Sequence, residues 1–293
     1  MRTASTTQQR QSLLDLQRTQ ERLALNQVRI TSGNRITGPG DDPTASASLL
    51  DFNNSIQVNT QAIRQADSAL LYLRPSEDVV AAAINDVMRL QELSVGGSFA
   101  SGAELDAIRT NLLSLANTQS AGKYLFAGTN TQVAPFKDGQ PVLWQGNQAD
   151  ISLSLNANAS VVTNVTGDEV FLGGKGAVPG NPNDIFQAVT DLKTALSNPG
   201  NPALLQAASA NLDAIFKNLN DVQAKLGGRQ AGLTDLQSTL SEFNATLAQL
   251  QNTQAATDYP KVATEVAADQ LLQSATLSTM AKLGKANLFD YLT

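Results

Sequence analysis

The chain has 293 residues, 20 basic and 26 acidic side chains for a net charge of -6, and neither histidine nor cysteine. That balance excludes a nucleic-acid backbone as the main partner, because no basic surplus is present to displace its counterions. The missing residue types exclude imidazole bases, thiolate nucleophiles, disulfides and every His- or Cys-ligated metal site.

The N-terminal stretch, residues 1–36, carries Arg2, Arg10, Arg18, Arg22, Arg29 and Arg35 against Asp15 and Glu21. An Arg-rich start is compatible with a transit peptide or a membrane-surface helix. Against both, the polar face is mostly Gln and Thr and the apolar stripe is narrow. Leu13, Leu16, Leu23 and Ile30 make that stripe at heptad spacing, interrupted by Gln20 and Gln27. No signal-peptide apolar block precedes it. No run anywhere approaches the roughly 18 apolar residues of a membrane span, so stable membrane insertion is not expected.

Asp42-Pro43 reads as a helix N-cap followed by proline at the first helical position. A heptad then runs Leu49, Ile56, Ile63, Leu70, with Phe52, Asn59, Ala66 and Leu73 beside it, and predicts a helix that stops before Pro75. Ser101 and Glu104 read as a capping box opening a second heptad at Leu105, Ile108, Leu112 and Leu115.

Residues 128–202 hold 15 of the 30 Gly and Pro residues. The alternation Ile151-Ser152-Leu153-Ser154-Leu155 predicts a strand, and Val161-Val162 and Val170-Phe171-Leu172 add strand-like runs. Asp138-Gly139 and Gly146-Asn147 read as hairpin turns. Together they predict a β-rich insert over 130–181, with Phe136 and Trp144 in its core. Gly173-Gly174-Lys175-Gly176 fails the spacing of a phosphate loop and reads as a turn between strands.

After the insert, spacings of three and four alternate from Leu205 through Leu212, Leu219, Leu226, Leu233 and Leu240 to Leu250 without a slip. Their phase survives Gly227-Gly228, which predicts one long helix and coiled-coil-like packing against the first arm. The last stretch, 261–284, has few anchors among small residues: Val262, Val266, Leu272, Met280 and Leu283. Two terminal helices so sparsely anchored are marginal alone. They are expected to be frayed in the monomer and ordered by neighbouring subunits, the blander alternative being that they pair with each other.

No catalytic, cofactor or metal site emerges. Asp41-Asp42 lacks the further acids of a calcium loop, and no Ser-Lys or paired-carboxylate arrangement stands out. The chain is not expected to be an enzyme.

Several stretches together resemble the bacterial flagellin superfamily. Ser32-Gly33-Asn34-Arg35-Ile36 followed by Asp41-Asp42-Pro43-Thr44-Ala45 is similar to its N-terminal signature. Met88-Arg89-Leu90-Gln91-Glu92-Leu93-Ser94-Val95 and Tyr124-Leu125-Phe126-Ala127-Gly128 are similar to its first-arm segments. Pro43 and the ending Leu288-Phe289-Asp290-Tyr291-Leu292 resemble its hook-associated branch, at the hook–filament junction, more than flagellin itself.

The resemblance implies a mainly α fold, an elongated rod of long antiparallel coiled-coil-like helices from nested arms, with a small β-rich insert. In that frame 1–42 and 258–293 are terminal assembly segments, 43–129 and 182–257 a helical rod, and 130–181 an outer knob. It implies an extracellular structural subunit, exported without a cleaved signal through the flagellar type III apparatus with a cytoplasmic chaperone. Its implied neighbours are flagellin, the first hook-associated protein and copies of itself in a ring. The residues expected at the assembly interface are Leu13, Leu16, Leu23, Ile30, Val266, Leu272, Met280, Leu288, Phe289 and Leu292. A short flagellin and a non-flagellar coiled-coil scaffold remain the other readings.

Overall fold

A computed structural model describes residues 2–95, 102–156 and 159–289. Among them are seven helices and three two-stranded antiparallel sheets. Helix α1 (Arg2–Ser32) ends where Gly33 turns left-handed at φ 72°, its N–H donating to the Arg29 carbonyl at 2.9 Å. That is the glycine-terminated cap that other residues adopt only at a steric cost. Helix α2 (Pro43–Val95) starts as its sequence predicts: Asp42 Oδ1 accepts from the Ala45 N–H at 3.0 Å, with proline at the first position.

Contrary to expectation, α2 does not stop before Pro75 but runs through it. Proline removes the N–H that the Leu71 carbonyl would receive. The Ser120 hydroxyl donates to that carbonyl instead, at 3.1 Å. A residue distant in sequence thus satisfies the broken ladder, which local reasoning at Pro75 cannot foresee. Helix α3 (Gly102–Ala116) buries Leu105, Ile108, Leu112 and Ala116. Ser101 of the expected capping box lies outside the described residues, and Glu104 accepts from Arg89 at 2.6 Å.

A tight hairpin follows, β1 (Gln119–Ser120) against β2 (Lys123–Tyr124), with Ala121 and Gly122 both at positive φ as such a two-residue turn requires. β3 (Phe136–Lys137) pairs with β4 (Leu143–Trp144) across the turn that Asp138-Gly139 opens. β5 (Ser152–Asn156) pairs with β6 (Ala159–Val162), where the alternation places them. Gly146-Asn147 is not a hairpin turn. Asn147 Oδ1 accepts from the Thr129 and Ala149 N–H groups at 3.0 and 3.1 Å, so the side chain pins a loop.

Val170-Phe171-Leu172 is not a strand either. Val170 and Phe171 belong to α4 (Gly167–Phe171), all three residues are buried, and Gly173-Gly174-Lys175-Gly176 follows a helix, not a strand. A short apolar run carries no period by which helix and strand can be told apart. Helix α5 (Ile185–Ser197) is capped by Asp184. Helix α6 (Pro202–Ala255) is continuous through Gly227-Gly228, and α7 (Tyr259–Phe289) completes the order.

The chain forms two compact units, Met1–Gln57 with Phe243–Thr293, and Val58–Glu242. The second unit holds the main core. Leu73, Val80 and Val87 of α2, Leu105 and Leu112 of α3, Val189 and Leu192 of α5, and Leu212, Leu219 and Leu226 of α6 belong to one apolar cluster. Phe126, Phe136, Phe171 and Phe186 join it, Phe126 and Phe136 meeting Phe171 edge-on at 5.2 and 5.5 Å. The β-rich stretch therefore shares its core with the helices. Trp144 packs against this cluster half-buried.

Candidate assembly interface

The first unit contains both terminal helices. They run antiparallel: Arg22 meets Asp269, while nearer the other end the Thr257 N–H donates to the Gly33 carbonyl at 2.9 Å. The covered stripe of α1 is Leu16, Thr19, Leu23, Asn26 and Ile30, at alternating spacings of three and four. On α7 it is Val262, Val266, Asp269, Gln273, Thr276 and Met280. The termini thus pair with each other within the chain, the blander alternative and not the expected ordering by neighbouring subunits alone.

This seam differs from the one read in the sequence. Gln20 and Gln27 are exposed, and Thr19 and Asn26 take the buried positions between the leucines. Each buried polar group has a bond that permits it. Thr19 Oγ1 donates to the Asp15 carbonyl at 2.8 Å, and Asn26 Oδ1 accepts from Arg29 Nη1 at 3.5 Å. Asp269, 8% exposed, accepts from Arg22 Nη2 at 2.5 Å and from Nε at 3.2 Å. The pairing raises the already high pKa of Arg22, first through the hydrogen bond and then through the charge of Asp269. Between the two helices lies a cavity of about 400 Å³ lined by Arg22, Leu25, Asn26, Arg29, Glu265, Ala268 and Asp269.

Of the expected interface residues, Leu16, Leu23, Ile30, Val266 and Met280 are half-buried in this seam. Leu13 and Leu272 are not covered, at 51% and 47% exposure. Leu288 and Phe289 fall in the last turn of α7, and Leu292 lies outside the described residues. Further large apolar side chains point away from the seam. Helical spacing puts Leu14 and Val28 on the face of α1 opposite α7, and Leu271, 72% exposed, on the corresponding face of α7. Leu50, Phe243 and Leu250, from α2 and α6 in the same unit, are exposed too, although the heptad of α6 placed Phe243 and Leu250 on its apolar stripe. Clusters of uncovered leucines mark contact surfaces more often than solvent surfaces.

The segment from Gly33 to Asp42 joins α1 to α2 and is held by two carboxylates. Asp41 Oδ2 accepts from the Thr37 N–H at 2.8 Å, its hydroxyl at 2.7 Å and the Gly38 N–H at 3.1 Å, and Oδ1 from Arg29 at 3.4 Å. Those backbone and hydroxyl bonds, the Thr37 N–H first, hold the Asp41 carboxyl below the usual carboxylate range. Asp42 is lowered likewise, by the Ala45 N–H first and by Arg35 second. No group of three or more metal-ligating acidic, histidine or cysteine side chains occurs among the described residues, and no helix among them is long and apolar enough to cross a membrane.

A curated relative from Escherichia coli K12, "Flagellar hook-associated protein 3", is 27% identical over 153 residues, 49% of this chain and 48% of its own length. The chain is similar to flagellar hook-associated protein 3. Its Salmonella typhimurium counterpart, of the same name, is 26% identical over 203 residues, 63% of this chain and 64% of that protein. The alignments thus span about half to under two thirds of these relatives. No protein-family model matches. Among solved structures, a putative flagellar hook-associated protein from Vibrio parahaemolyticus superposes with a TM-score of 0.64. That match has 19% identity and covers 74% of this chain and all of the other. The fold is therefore that of the hook-associated proteins, mainly helical with small antiparallel strand pairs.

Sequence reasoning missed Thr19, Asn26, Arg22 and Asp269 in the seam. Their signal was faint: Thr19 and Asn26 keep the three–four spacing from Leu16, Leu23 and Ile30 but are polar, and an apolar stripe skips them. Arg22 and Asp269 are 247 positions apart.

Proposed function

We propose that this chain is a structural subunit of the bacterial flagellum, an adaptor between hook and filament, with no catalytic role. What carries the reading is the terminal helix pair. It leaves Leu14, Val28 and Leu271 facing outward, in a chain similar to hook-associated protein 3. A surface helix whose second face is also leucine-bearing gains roughly 1.5–3 kcal/mol per side chain once a neighbour buries it. Residues 1–42 and 258–293 act as the assembly segments, 43–129 and 182–257 as the rod, and 130–181 as the outward insert. The neighbours are flagellin, the first hook-associated protein and further copies of this chain in a ring. Export proceeds through the flagellar type III apparatus, with a cytoplasmic chaperone holding the C-terminal region, and places the protein outside the cell.

The test is deletion of the gene in its own bacterium, followed by electron microscopy. The reading expects bare hooks and filaments shed into the medium. Normally attached filaments overturn it. Long filaments grown from the purified chain alone assign the flagellin reading instead.

A further inference from the structure

The connection between α1 and α2 is bonded far more heavily than a linker needs to be. The Arg35 backbone N–H donates to the Ala255 carbonyl at 2.6 Å, and its Nη2 to the Gln254 carbonyl at 3.2 Å. These are the last carbonyls of α6, which have no acceptor role left inside their own helix. Its Nη1 donates to Asp42 Oδ2 at 3.0 Å, while Asp42 Oδ1 caps α2. One side chain therefore joins the carbonyl end of α6 to the amide end of α2. The charges suit both poles: a cation lies at the negative end of α6 and a carboxylate at the positive end of α2.

Around this link the exit of α1 is sewn to the entry of α7. Asn34 forms an antiparallel bridge with Ala256, and Thr257 bonds to Gly33. The α1–α7 pair thus starts from a point that Arg35 fixes against α2 and α6. We infer that Arg35 is the positioning residue of the terminal helix pair, setting the angle at which the assembly surface leaves the ends of α2 and α6. The inference deepens the junction reading and rests on it for its biological meaning. The geometry needs arginine in particular. Its planar fork offers two N–H groups at a fixed angle to two acceptors, whereas a lysine reaches one of them at a time.

The chain lacks cysteine, so two introduced ones report unambiguously. Spin labels at Gln27 on α1 and Gln249 on α6, both exposed, measure the angle as a distance distribution in the full-length protein. The parent should give one narrow distribution. Arg35→Ala should broaden it at least twofold and speed exchange of the Thr257 amide about tenfold or more, with Arg35→Lys between the two. Asp42→Asn, which keeps the α2 cap oxygen but loses the anion, should broaden it as well. Urea unfolding of the second unit should not move. An unchanged distribution and unchanged Thr257 exchange in both Arg35→Ala and Asp42→Asn overturn the inference. Failure of the junction reading appears separately, in the gene deletion, because the label distances do not depend on flagellar assembly.

Discussion

Asp184 gives the sharpest test of how the second unit is held together. It is fully buried, and its carboxylate serves three backbone donors. Oδ1 accepts from Phe186 at 2.9 Å and from Gln187 at 3.4 Å, and Oδ2 accepts from Gly180 at 2.8 Å. Asp184→Ala removes an N-cap worth about 1 kcal/mol and strands donors that cost about 1–3 kcal/mol each when buried without a partner. With partial relaxation the expected loss is about 3–5 kcal/mol, a large part of the roughly 5–15 kcal/mol that stabilises a domain. Asp184→Asn keeps one acceptor for the cap but turns an amide N–H toward Gly180, and should lose about 1–3 kcal/mol.

Titration adds an independent sign. Burial, outweighing the backbone bonds, raises the Asp184 carboxyl above the usual carboxylate range. The folded state then holds its proton at a pH where the unfolded state has released it. Stability from this group therefore falls as pH rises from the ordinary carboxylate range through the raised value. Asp184→Asn should remove that part of the slope. Urea unfolding followed by fluorescence of Trp144, the single tryptophan, which packs on this core, measures both quantities. A loss below about 1 kcal/mol in the alanine variant, with the pH slope intact in the asparagine variant, would refute the reasoning.

Leu219→Ala, at a position with no exposure, should cost about 2–5 kcal/mol in the same assay; a cost near zero means the α6 stripe is not packed as described. Ser120→Ala should cost about 1 kcal/mol, and Pro75→Ala should abolish that cost by returning an N–H to Leu71. A double-mutant cycle without coupling contradicts the bracing of Pro75. Arg22→Ala leaves Asp269 without its cation and should speed hydrogen exchange along α1 and α7 while sparing α3 and α5; uniform or absent change rejects the ion pair as a clamp on the termini. At Asp41 and Asp42, whose pKa values are lowered, the stabilisation is present above the ordinary carboxylate range and is lost as pH falls through the lowered values. Protection of the Thr37 and Ala45 amides, taken relative to the unstructured exchange rate at each pH, should therefore fall on acidification before that of the α5 amides; simultaneous loss would show that the joint has no separate acid lability.

Much of this molecule is written in local spacing. The unbroken alternation from Leu205 names one helix, and Leu212, Leu219 and Leu226 are buried because the period of that pattern matches the period of the helix. Asp42-Pro43 names the start of α2, and Ile151 to Leu155 names a strand, since caps, turns and two-residue alternation depend on neighbours in sequence. What failed to show there has a common cause. Pro75 is tolerated because Ser120, 49 positions away from Leu71, bonds the freed carbonyl. Val170 to Leu172 is buried equally well as helix or strand, and only its packing with Phe126 and Phe136 chooses. Thr19 and Asn26 enter a seam that hydrophobicity assigned elsewhere, because burial of a polar side chain depends on partners that folding brings. Charge, composition and period thus determined the long heptad helix α6 and the start of α2, and which functions the missing histidines and cysteines forbid. The tertiary structure alone decided which faces meet, because a bond between Arg22 and Asp269, or between Arg35 and the end of α6, exists only once distant parts of the chain are adjacent.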